Sequence, residues 1–161
     1  MRKQTPNLMA GWREWAALPD LQIPAIKVKV DTGALSSALH AIHIEHFSED
    51  GRARVRFRIH PFQRRSQPTI ACTADLVGER LVTSSSGHRE RRPVIRTRLM
   101  LAGQAWPIDL TLTNRDSMGF RMLLGRRAMR RRLVVNPSAS FICGPPDGAN
   151  PQPDTRSSAA R

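Results

Sequence analysis

Apolar and polar residues alternate with a period of two along much of this chain. The clearest segment is residues 52–59, in which arginines occupy every second position. The positions between them hold Ala53, Val55, Phe57 and Ile59. Successive side chains of a strand point to opposite faces, so this segment predicts a strand with one buried face and one basic face. We expect the basic face to be solvated, and a groove for acidic ligands is the alternative.

The same alternation predicts several further strands and little helix. The other segments with strand character are 26–30, 36–44, 69–77, 95–101, 106–112 and 139–143. A turn at Gly103 joins two of them into a hairpin. One short basic helix is predicted over residues 126–133, near the C-terminus. This pattern indicates an all-β domain of closed or sandwich type.

Length and composition divide the 161-residue chain into one folded domain and two flanking segments. Residues 1–10 are expected to be a flexible lead-in, and residues 11–143 the folded domain. Residues 144–161 are rich in proline and small polar residues without an apolar period, which predicts a disordered tail. No apolar stretch resembles a membrane span or a signal peptide, so we expect a cytoplasmic protein without a membrane partner. Cys72 and Cys143 are predicted to be buried thiols.

The formal charge of +13 favours anionic partners. Nucleic acid is a less favoured partner than acidic peptide, because the basic residues alternate along strands. The chain also has only five phenylalanines, three tryptophans and no tyrosine to stack on bases.

The strand at 26–30 leads directly into Asp31-Thr32-Gly33. An acid that a core strand delivers into a glycine turn is held rigidly within reach of a substrate, as acid–base chemistry requires. The alternative is a turn acid that only caps nearby backbone amides. A second element, Met-Leu-Leu-Gly-Arg at 122–126, follows about ninety residues later.

Together these two elements resemble those of the retropepsin-like aspartic peptidases. More closely, five segments resemble the bacterial family labelled "ATP-dependent zinc protease", whose members are similar to retropepsins in fold. The segments are 11–15 (GWREW), 30–34 (VDTGA), 37–41 (SALHA), 112–115 (LTNR) and 122–126 (MLLGR). The resemblance implies a closed, barrel-like acid-protease domain in which the second element crosses behind the first.

The resemblance also implies a peptide hydrolase without a cofactor, in which Asp31 is catalytic. The aspartic mechanism needs two carboxylates that share a proton and polarise a water. The chain carries one Asp-Thr-Gly, which implies a homodimer with Asp31 of each protomer at a two-fold axis. Thr32 is expected to brace the paired loops, and Gly33 to let the substrate backbone approach. Members of this family frequently occur together with ATP-grasp peptide ligases, so the resemblance suggests acidic or glutamate-rich peptides as substrates.

Further site residues follow from the order of elements in retropepsins. We expect Leu123, Leu124 and Gly125 to support the loop, Ala34 and Arg126 to meet the substrate, and Ser86, Gly87 and His88 to form a flap within residues 82–94. An ordinary exposed hairpin is the alternative to the flap. Retropepsins usually pair that arginine with an aspartate at the position of Leu35, so Arg126 is expected to pair elsewhere or with a substrate carboxylate.

Three histidines, His40, His43 and His46, are candidate metal ligands. On a strand their spacing of three puts them on alternating faces, and Ile42 and Ile44 favour a strand over a helix. There is no His-Glu-x-x-His motif, so no metal site is predicted. The remaining alternative function is a catalytically silent basic module that binds acidic peptides or nucleic acid.

Overall fold

The computed structural model describes residues 8–62, 67–83, 86–114 and 119–146. Ten strands and one α-helix make up its regular structure, apart from a 3₁₀ turn at Pro19–Leu21. The strands are β1 (Leu8–Leu18), β2 (Ile23–Val30), β3 (Ser37–His40), β4 (Ile42–Glu49), β5 (Arg52–Ile59), β6 (Ile70–Thr83), β7 (Arg89–Leu101), β8 (Gln104–Thr113), β9 (Met122–Leu124) and β10 (Leu133–Ser140); the helix is α1 (Arg126–Met129). The predicted all-β class with one short helix near the C-terminus is confirmed.

The strands form one continuous sheet in the order β10-β1-β2-β9-β3-β8-β7-β6-β5-β4. The sheet returns on itself where Ala17 of β1 pairs with Met100 of β7. A ring is thus formed by the six strands β1, β2, β9, β3, β8 and β7. Strand β10 lies outside the ring on one side, and β6, β5 and β4 extend the sheet on the other. The ring agrees with the expected closed sheet in outline, although a single residue pair makes the closure.

The alternating pattern placed the core correctly because its apolar parity faces inward in most strands. The largest side chains that are fully buried are Leu18, Ile23, Ile26, Leu39, Phe57, Ile59, Ile95, Leu99, Leu101, Leu110, Leu112 and Met122. The prediction for Ala53 was wrong, since this residue is exposed. It pairs with Ser48 at the end of the β4–β5 hairpin, which extends beyond the core.

Several predicted boundaries also shift. Leu8–Ala10, assigned to the flexible lead-in, belong to β1 and pair in parallel with residues 133–135 of β10. The strand predicted at 139–143 begins at Leu133 and ends at Ser140, and the helix predicted to reach residue 133 ends at Met129. Of the predicted tail, residues 144–146 are described and Pro146 is buried. Residues 147–161 lie outside the described part.

The predicted strand at 36–44 is two strands. Strand β3 pairs with β8 and ends at His40, whereas β4 begins at Ile42 and pairs with β5. Between them, the Ala41 backbone N–H donates to the Thr113 carbonyl over 3.0 Å. No helix in the described part of the chain is long and apolar enough to cross a membrane.

The arginine face of β5 lies beside acidic residues of the neighbouring strands. Arg52 and Arg54 approach Asp75 of β6 at 3.8 and 3.7 Å, and Arg56 approaches Glu45 of β4 at 3.5 Å. Exposed pairs of this kind stabilise a fold by at most about 1 kcal/mol each. Their effect here is to offset positive charge, which agrees with a solvated face more than with a groove for acidic ligands.

Candidate active site

The candidate site is the turn that follows β2. Asp31 is half-buried, and its Oδ1 accepts a hydrogen bond from the Gly33 backbone N–H over 2.9 Å. Its carbonyl oxygen accepts the Ala34 N–H over 3.2 Å, and its own N–H donates to the Leu124 carbonyl over 2.9 Å. The carboxylate is therefore oriented by its own turn, and the backbone of the turn is fixed to β9.

Strand β9 lies directly behind this turn because it is inserted between β2 and β3. Val30 of β2 pairs in parallel with Leu124, and Ala38 of β3 pairs with Leu123 in the antiparallel sense. Leu124 is buried and Leu123 is half-buried. Residues from two distant parts of the sequence are thereby brought side by side, as the resemblance implied.

Gly125 makes the closest backbone approach in the site. A Cβ atom at this position would lie 2.5 Å from the Ser36 carbonyl oxygen and 2.6 Å from its carbonyl carbon. The Gly125 N–H donates to the buried Ser37 Oγ over 3.0 Å. The absence of a side chain is thus a steric requirement, because the segment after Asp31 passes directly over this residue.

The start of α1 holds the same loop from the other side. The backbone N–H groups of Arg126 and Arg127 donate to the carbonyls of Ala34 and Leu35 over 2.7 and 3.1 Å. The Arg126 guanidinium donates to the Thr32 carbonyl over 3.0 Å. Arg126 therefore hydrogen-bonds to the backbone of the loop. In retropepsins the corresponding arginine usually pairs with an aspartate, whose position is occupied by Leu35 in this chain.

The residues predicted for the flap lie at the end of the β6–β7 hairpin. Ser86, Gly87 and His88 are exposed, and Gly87 has a φ of 83°, which favours glycine. Residues 84 and 85 of the same tip lie outside the described residues. In the same hairpin, Arg80 contacts the loop after Asp31 and donates to Ser36 Oγ. Closure of the hairpin over a peptide stays a prediction.

The three histidines lie on two different strands, and not on alternating faces of one strand as predicted. His40 is buried in β3, whereas His43 and His46 are exposed on β4. Across the described ranges, no group of three or more His, Cys, Asp or Glu side chains is arranged to hold a metal ion.

Sequence reasoning missed the structural role of Glu14. This fully buried carboxylate accepts backbone N–H groups from Gly11 over 2.7 Å and from Ile142 and Cys143 over 3.1 Å each. It ties the segment after β10 to β1, at one edge of the sheet. An acid on a strand pattern between two tryptophans was the available signal, but two of its three partners lie about 130 residues away in sequence.

Both thiols are poor nucleophiles in this fold. Burial raises the pKa of the Cys72 thiol to about 12. Burial and the neighbouring Glu14 carboxylate raise the pKa of Cys143 to about 12. Cys72 is buried as predicted, whereas Cys143 is only half-buried.

Comparisons with known proteins agree with this geometry. Residues 9–146 match the family model described as "Retropepsin-like aspartic endopeptidase RimB". Proteins named "Probable alpha-L-glutamate ligase" are 47% identical over 138 residues in Shewanella pealeana and 43% identical over 144 residues in Desulfotalea psychrophila. These alignments cover 86% and 89% of this chain, which spans only 30% and 31% of the length of those relatives.

A solved structure is also similar. A Legionella pneumophila protein of unknown function superposes with a TM-score of 0.71 at 28% identity, over 85% of this chain and 98% of that one. The family match covers nearly all of the described sheet, including the Asp31 turn and β9. The chain therefore belongs to the RimB-like family of retropepsin-like aspartic endopeptidases.

Proposed function

We propose that this chain is one half of a dimeric aspartic peptide hydrolase. The observation that carries the proposal is the Asp31 turn, in which the carboxylate is oriented by the Gly33 N–H and backed by β9. Hydrogen bonds from Gly125, Arg126 and Arg127 hold the following residues 34–37 in place. A site of this rigidity is what a positioned acid–base catalyst requires.

The proposed reaction uses Asp31 and the partner's Asp31 around one water. The ionised carboxylate takes a proton from the water, whose oxygen forms a bond to the carbonyl carbon of the peptide. The protonated carboxylate of the other protomer donates its proton to the amide nitrogen as the C–N bond breaks. Two adjacent carboxyl groups cannot both ionise cheaply, so one proton is shared between them and the pair titrates as a unit.

An exposed apolar pair supports dimerisation near this turn. Arg13 of β1 pairs with Lys29 of β2, so the residues of β1 before Arg13 lie at the same end of the sheet as Asp31. There, Met9 and its register partner Val134 on the edge strand β10 are 54% and 47% exposed. Burial of these side chains against a second copy would place the interface at the end of the sheet that carries Asp31, where the proposed two-fold axis lies.

Charge and the names of the relatives support an acidic substrate. The chain has a formal charge of +13, which favours anionic peptides over basic ones. The relatives are named "Probable alpha-L-glutamate ligase". A hydrolase that acts on glutamate-rich peptides would act on the residue type that these names contain.

The test is cleavage of an acidic peptide library, analysed by mass spectrometry, with wild type and Asp31→Asn side by side. The substitution should abolish turnover, and the wild-type rate should follow a bell-shaped pH profile. Asp75→Asn, which removes an exposed carboxylate on β6, is the matched control and should retain activity. Sedimentation should show a dimer for all three proteins.

A silent binding module is the second candidate, because the Gly33 hydrogen bond is also what a turn-capping acid would make. In that case no peptide is cleaved, and binding of acidic peptides survives Asp31→Asn but falls steeply with salt. Activity that persists in Asp31→Asn would refute the proposed mechanism. Inhibition by a chelator would point instead to a metal.

A further inference from the structure

A cleft of about 560 Å³ lies beside Ser36, in the loop that follows Asp31. Six parts of the chain contribute to its walls: this loop, β3, β6, β7, β8 and α1. The polar residues that the inference uses are Ser36, Arg80, Arg96, Asp109 and Arg127. Its size lies in the range of pockets that hold small ligands or side chains.

The charges of this cleft are unbalanced. Of its three arginines, Arg96 is neutralised by Asp109, with Nε 2.9 Å from Oδ1. Among the described residues that line the cleft, Asp109 is the only acid, so Arg80 and Arg127 give this lining a net charge of +2. Arg80 is half-buried and contacts the hydroxyl of Ser36. The Arg127 guanidinium forms no ion pair with a carboxylate in the part of the chain that the structure describes.

A second observation, on the neighbouring strand, also favours an anionic ligand. The register partner of Arg80 is Arg92 of β7, so two guanidinium side chains leave the same face of the hairpin side by side. Arg92 is only 9% exposed, its Nε makes no hydrogen bond, and its ion pair with Glu90 spans 3.5 Å. Like charges directly opposite one another are unfavourable, and an anion beside them would relieve the repulsion.

We propose that this cleft binds the carboxylate of an acidic side chain of the peptide, and that Arg80 and Arg127 determine this specificity. The inference rests on the proposed peptide hydrolase activity. Guanidinium groups bind carboxylates through paired, charge-assisted hydrogen bonds, and the Ser36 hydroxyl lies beside Arg80 to complement them. The residues that bind this side chain would not take part in the proton transfers at Asp31.

The location also explains how recognition is connected to the site. Arg80 belongs to the β6–β7 hairpin, Arg127 to α1, and Ser36 to the loop that α1 and Gly125 hold in place. A carboxylate bound between the two arginines would therefore connect the hairpin to the loop that follows Asp31. Because its energy is gained in the ground state as well, its loss should raise KM more than it lowers kcat.

The test measures binding to the full chain carrying Asp31→Asn, by fluorescence anisotropy. The probes are labelled peptides with amidated C-termini that differ by Glu or Gln at one position, scanned in turn. At one position, the Glu peptide should bind about tenfold more tightly or better than its Gln counterpart, as expected for a charge-assisted hydrogen bond. Arg80→Gln and Arg127→Gln should each reduce this ratio, and the double variant should bring it close to one.

Arg58→Gln is the matched control, because it removes one exposed arginine of β5 away from the cleft. This substitution should weaken the binding of the Glu and Gln peptides equally and leave the ratio of their affinities unchanged. Melting curves check that each variant is folded, and Arg80→Lys serves in place of Arg80→Gln if the latter does not fold. The proposed subsite is refuted if the wild-type arginines give a Glu-to-Gln affinity ratio near one at every position. It is also refuted if the double variant keeps the Glu preference.

Turnover of the same peptides by the chain with Asp31 intact separates the two proposals. Cleavage that depends on Asp31 but keeps its Glu preference in the double variant refutes the subsite alone. Discrimination in binding without any cleavage supports the subsite as a recognition site and refutes the hydrolase.

Discussion

Substitution of Gly125 by alanine tests whether the close approach between β9 and the loop after Asp31 is required. The new Cβ would lie 2.5, 2.6 and 2.9 Å from the carbonyl oxygen, carbonyl carbon and nitrogen of Ser36. All three atoms belong to the backbone, so no side chain can rotate to make room. Gly125 itself has a φ of −97°, which alanine adopts readily, so the expected effect is steric and not conformational.

The expected magnitude follows from two opposing contributions. Overpacking of this kind typically costs about 1–3 kcal/mol. Alanine also restricts the unfolded chain, which returns roughly 0.4–1 kcal/mol. The net loss of about 1–2 kcal/mol should lower the melting temperature by roughly 2–8 °C for a chain of this size.

The matched control is Gly78→Ala in β6. A Cβ at Gly78 would meet nothing within 4 Å, and its backbone is not in the left-handed region. We therefore expect its stability to change by less than about 1 kcal/mol, with stabilisation more favoured than loss. Both variants are compared with wild type by calorimetry and by urea unfolding.

Activity gives a second measurement of the same contact. If Ser36 moves to accept the Cβ, the Asp31 turn moves with it, because Arg126 and Arg127 hold the intervening residues. A displacement of about 1 Å costs catalysts on the order of 10²-fold, so turnover should fall further than the folded fraction explains. Equal melting temperatures for Gly125→Ala and Gly78→Ala would refute the steric reasoning.

Three further predictions concern charges and thiols away from the site. Asp20→Asn should lower the free energy of unfolding by less than about 1 kcal/mol, because the ion pair of Asp20 with Arg98 is exposed. The hydrogen bonds from the Arg98 side chain lower the pKa of Asp20. The contribution of Asp20 to folding stability is therefore present above pH 3.8 and is lost as the pH falls through the lowered pKa. The urea unfolding curves of wild type and variant should then converge in acid. Cys72 and Cys143 should react slowly with iodoacetamide at pH 8 until the chain is unfolded, because the pKa of each thiol is raised to about 12, and fast labelling of the native chain would contradict the burial. Glu14→Gln places an amide N–H₂ against a backbone N–H, which should lower the free energy of unfolding by about 1–3 kcal/mol in urea titrations, and an unchanged midpoint would contradict the buried network.

The local pattern was sufficient for the parts of the fold that depend on side-chain parity. Val55, Phe57 and Ile59 face the core because a strand with one buried face must alternate, whatever its neighbours are. The motifs that contain Asp31 and Gly125 also indicated two distant segments that the sheet places side by side, because these motifs have a fixed relation in the family they resemble. Where the pattern was wrong, as at Ala53, the strand continued past the core.

Only the tertiary structure determined which distant groups meet. Nothing local assigns Glu14 to the backbone of residues 142 and 143, and the Arg126 guanidinium bonds to the Thr32 carbonyl in the absence of an aspartate at position 35. The arginine-lined cleft is likewise not evident in the sequence, because Arg80 and Arg127 line one cleft only when the hairpin and α1 approach the loop after Asp31. Periodicity records the environment of one strand, whereas hydrogen bonds and charge balance depend on which strands the sheet places side by side.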